Sequence, residues 1–67
     1  MNSKTTEEVA KASQCSRLLV SDLESVLSAA NSSNNRLASM VTLQLLGEAR
    51  AIHAKIAELE AAMEGVE

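Results

Sequence analysis

A chain of 67 residues with one cysteine, one histidine and a formal charge of −3 has room for one small domain and few means of reinforcing it. Chains near this size bury only about 60% of the surface that unfolding exposes, and Cys15 with His53 supplies neither an internal disulfide nor a four-ligand zinc site. With no Phe, Trp, Tyr or Pro and only two glycines, residues 1–67 read as a single all-α domain stabilised by regular helix packing or association.

The first helix is predicted over about residues 5–31. Thr5 followed by Glu8 fits a capping box, Glu7 and Glu8 suit the helix N-terminus, and Glu7 and Lys11 form an i,i+4 pair. From Val9 the small or apolar residues Val9, Ala12, Ser16, Leu19, Leu23, Val26 and Ala30 recur by threes and fours, the stripe of a helix packed along its length. The run Asn31-Ser32-Ser33-Asn34-Asn35 interrupts it, placing a turn at about 32–35, because Asn tolerates the left-handed conformation and Ser or Asn caps a following helix. A second helix, about 36–65, carries the stripe Ala38, Thr42, Leu45, Ala49, Ile52, Ile56, Leu59, Met63 and Val66.

So short a turn makes the helices antiparallel neighbours, a coiled-coil-like hairpin. Centring it on Asn34 sets Leu23 against Leu45, Ser16 against Ile52 and Val9 against Leu59. Glu58, Glu60, Glu64 and Glu67 oppose the dipole of the second helix, which predicts fraying of its last turn.

More apolar surface is present than two helices can bury. Val20, Leu27 and Leu46 flank the predicted seam, while Leu18, Met40 and Leu43 lie further round. Gly47, on the outer face, would let another backbone approach closely at a cost of about 1 kcal/mol in helix propensity. These seven residues are the candidate protein-interaction surface, and a homodimer forming a four-helix bundle is the expected way to cover it, with a heteromeric partner as the rival.

Other function classes find little support. The six basic residues are scattered and no aromatic residue is available to stack on bases, which argues against nucleic acid. No stretch has the length of a membrane span and the polar N-terminus is unlike a signal peptide, so a cytoplasmic protein is expected. Arg17, two residues beyond Cys15, faces elsewhere on the helix, and His53 has no metal-ligating residue four positions on, so neither suggests a reactive or ligand site. With no catalytic, cofactor or metal residues proposed, the expectation is a non-enzymatic adaptor or inhibitor of the phage or plasmid kind.

In size and hairpin form the chain resembles the small needle-subunit co-chaperones of type III secretion systems. That resemblance covers the architecture of both helices and no diagnostic motif, and it implies a heteromer that shields an aggregation-prone partner. The chain is also similar in form to plasmid copy-number regulators of the Rop kind, which bind RNA as four-helix dimers. Their basic, aromatic-bearing RNA face has no counterpart here.

Overall fold

The computed structural model describes residues 3–66, and side chains within residues 4–64. Two helices, α1 (Ser3–Ser32) and α2 (Arg36–Val66), pack against each other along their length in a body of 51 × 14 × 10 Å. Two helices lying side by side make a single layer with two broad faces.

The turn is built by asparagine chemistry. Asn34 takes the left-handed conformation at φ 57°, and the N–H groups of Asn34 and Asn35 donate back to the carbonyls of Asn31 (3.2 Å) and Ala30 (2.9 Å). This is a Schellman closure, which satisfies carbonyls that the end of α1 would leave open. Asn35 then caps α2, its Oδ1 accepting from the N–H of Ala38 at 3.0 Å. The Ser39 hydroxyl ties the helices together above the turn by donating to Asn31 Oδ1 at 2.7 Å.

The start of α1 differs from the expected one. The helix is already formed at Ser3, so Thr5 lies inside it rather than capping it, and Lys11 pairs with Glu8 (3.4 Å) rather than Glu7. At the other end α2 is helical through Val66; the side chain of Val66 and all of Glu67 lie outside the described residues.

The seam is rotated from the predicted stripe. The less exposed positions of α1 are Val9, Ser13, Ser16, Val20, Leu23, Leu27 and Ala30; those of α2 include Thr42, Leu46, Ala49, His53, Ile56, Glu60 and Met63. Half of the stripe is therefore where it was expected. In the other half, Ala12, Leu19 and Val26 give way to Ser13, Val20 and Leu27, and Leu45, Ile52 and Leu59 give way to Leu46, His53 and Glu60. Register follows from the Ser16–His53 hydrogen bond, Oγ to Nδ1 at 2.7 Å. Ser16 thus meets His53 rather than Ile52, and at that register Leu23 lies level with Leu46 and Val20 with Ala49.

Candidate functional site

Rotation of the seam decides what is left outside. Successive residues of a helix turn by about 100°, so residues seven apart stack on one side. Leu19 and Val26 on α1, and Leu45, Ile52 and Leu59 on α2, each sit one residue before a seam position. In two antiparallel helices that offset swings both rows to the same side of the layer. The five side chains are 45% to 53% exposed, and with Ala12 and Ala38 they make an apolar double row along one broad face.

The opposite face has another character. Glu24 and Arg50 bridge the two helices there at 3.0 Å, both exposed, with Gln14, Arg17 and Ser21 on the same side by helical phase. The large exposed apolar groups on that side are Met40 and Leu43 near the turn, and further along it carries alanines such as Ala54 and Ala57.

The seam itself is modest. Leu46, at 2% exposed, is the largest fully buried side chain among the described residues, and Ala30, Ala49, Ser16 and Thr42 are the other buried groups. Ser16 Oγ also lies 2.9 Å from the carbonyl of Ser13. When the hydroxyl donates to that carbonyl, it accepts from the Nδ1–H of His53, a proton that neutral and charged imidazole can both carry. The pair is thereby satisfied inside the seam.

The residues proposed from sequence divide into two groups. Leu46 is inside the hairpin, and Val20 and Leu27 are half-buried in the seam beside it, so these three contribute to holding the helices together. Leu18, Met40 and Leu43 are exposed, and a Cβ added at Gly47 would meet nothing within 4 Å. They do not form one surface: Leu18 points away from α2, while Met40, Leu43 and Gly47 occupy the turn-proximal part of the polar face. The apolar double row was missed as a surface because its residues were assigned to the interior.

Hollows in the described residues are shallow. One of about 440 Å³ at the turn is lined by Ala30, Asn31, Asn34, Arg36, Ser39 and Met40. Another of about 330 Å³, on the apolar face, is bounded by Ala51, Ile52, Lys55, Ile56 and Leu59. Among the described residues no group of three or more His, Cys, Asp or Glu side chains could hold a metal ion, and no helix is long and apolar enough to cross a membrane. Comparison with family models, with curated proteins and with solved structures returns no match to this chain.

Proposed function

We propose that this chain is a non-enzymatic protein-binding module whose working unit is a four-helix bundle of two copies, joined through the apolar double row. One observation carries the reading: the face with Leu19, Val26, Leu45, Ile52 and Leu59 is more apolar than the seam. In a four-helix bundle each helix needs a stripe wide enough for two neighbours. Here one edge of that stripe, through Val20, Leu27 and Leu46, serves the helix of the same chain. The other edge is free for a helix of another chain.

Covering these side chains is worth about 1 kcal/mol each when roughly half of a 1.5–3 kcal/mol burial remains to be gained. Two copies supply ten of them, enough to matter to a small domain of limited stability. Leu18, Met40, Leu43 and Gly47 stay outside such a bundle and are the proposed contacts for a second protein in an adaptor or inhibitor role. The negative charge, and the engagement of Arg50 with Glu24 and Lys11 with Glu8, support a protein partner over nucleic acid. A reducing cytoplasm suits the exposed Cys15.

Sedimentation equilibrium of the purified chain tests the reading. The wild type is expected to be a dimer and Ile52→Glu a monomer at the same concentration. A monomeric wild type, or a dimer indifferent to Ile52→Glu, overturns it. The former result would turn the same face toward a heteromeric partner, as the resemblance to secretion co-chaperones implies.

A further inference from the structure

We infer that the second copy seated on the apolar face runs antiparallel to the first, with the two turns at opposite ends of the bundle. This rests on the dimer reading above and adds its polarity. Two dyad-symmetric ways exist to stack one layer on another through the same face. A dyad along the helices sets α1 against α2 of the second copy, with both turns at one end. A dyad across the helices sets α1 against α1 and α2 against α2, with the turns apart.

Charges at the edge of the apolar face separate the two. Asp22 on α1 and Glu48 on α2 lie just outside the apolar rows, and the register fixed by Ser16 and His53 puts them within about one residue of the same level. Lys55 lies on the same edge of α2, two helical turns from Glu48. With the turns together, Asp22 of each copy meets Glu48 of the other, so two like-charge contacts form at the rim. With the turns apart and the helices overlapping over their full length, the dyad falls near their midpoints, close to Leu19 and Ile52, and Glu48 of each copy comes level with Lys55 of the other. Two opposite-charge contacts replace the two repulsive ones.

Shape gives the same answer. Ile52, Lys55, Ile56 and Leu59 sit at i, i+3, i+4 and i+7 around the 330 Å³ hollow, the four-residue hole that receives a knob from a facing helix. In the antiparallel stacking Leu45 of the second copy comes to this level. In the other stacking Ala12 does, and a methyl group leaves most of the hole empty.

The experiment places a nitroxide at the turn end, on Ser32→Cys in a Cys15→Ser background, and measures the distance between the two labels by pulsed electron spin resonance. Sedimentation of the same sample reports whether it is a dimer. Antiparallel copies place the labels roughly 40 Å apart, from the 1.5 Å rise per residue. A single short distance, below about 20 Å on the width of two packed helices, overturns the inference while leaving the dimer intact. A mixture of the two distances also overturns it. A monomer overturns it together with the reading beneath it.

Charge reversal gives a second measurement with opposite signs. Glu48→Lys is expected to weaken the antiparallel dimer by about fivefold or more, and adding Lys55→Glu to restore it. Tightening by Glu48→Lys alone is the outcome of the stacking with turns together.

Discussion

Leu45 and Leu46 are neighbours in sequence and identical in chemistry, yet one is 45% exposed and the other 2%. They mark the two edges of one broad apolar stripe on α2. The inner edge is shared with polar groups, including His53 and Glu60, and faces α1. The outer edge is wholly apolar through Leu45, Ile52 and Leu59 and faces no part of the same chain. A hairpin whose exterior row is more apolar than its seam suits the proposed bundle of two copies, in which stability and association would be carried by different residues of one helix.

Alanine at each of these two leucines is the sharpest way to separate those roles. Leu46→Ala opens a cavity in the seam and is expected to cost about 2–5 kcal/mol in urea unfolding, at any protein concentration. Leu45→Ala leaves the seam filled, so its cost appears as a rise in the dimer dissociation constant of about tenfold, on the scale of half a buried side chain. The contrast breaks if the Leu46 variant is rescued simply by raising protein concentration. It also breaks if Leu45→Ala destabilises dilute and concentrated samples equally.

Within the seam, the Ser16–His53 pair sets the next smaller effect. Ser16→Ala removes the partner of a half-buried imidazole nitrogen and is expected to cost about 1 kcal/mol. The double variant with His53→Leu removes the donor as well and returns stability to the wild-type level or above it, since two apolar groups suit the site. A double variant no better than Ser16→Ala alone would mean that the imidazole is held by something other than Ser16.

How much of this was legible in the sequence follows from the same two edges. Helix class, hairpin topology and the turn could be read because Asn34 and Asn35 have the chemistry that the left-handed residue and the cap require. The central line of the stripe, Val9, Ser16, Leu23 and Ala30 with Thr42, Ala49, Ile56 and Met63, was legible from its spacing. Which edge faced inward was not. Periodicity reports how hydrophobic each side is, which makes the more hydrophobic edge the expected interior; here it lies outside. A residue offset of one in the register, Ser16 meeting His53 rather than Ile52, is the same rotation seen along the chain. The one available signal was the polar content of the inner edge, where Ser13 and Ser16 on α1 and His53 and Glu60 on α2 share the seam with apolar groups.

The smallest effect concerns Gly47, where an absent side chain was expected to admit another backbone. Its φ is not positive, and a Cβ there meets nothing within 4 Å, so neither conformation nor space within the hairpin demands glycine. Gly47→Ala should therefore gain about 0.5–1 kcal/mol from helix propensity and from a less flexible unfolded chain. Gly47 also lies on the polar face, away from Ile52 and Leu59, so the dimer dissociation constant should not change. If stability rises while self-association is unaltered, a face beside Met40 and Leu43 is left free for a different protein. If self-association weakens instead, the second copy reaches the polar face, and the apolar double row cannot be the whole of the dimer contact.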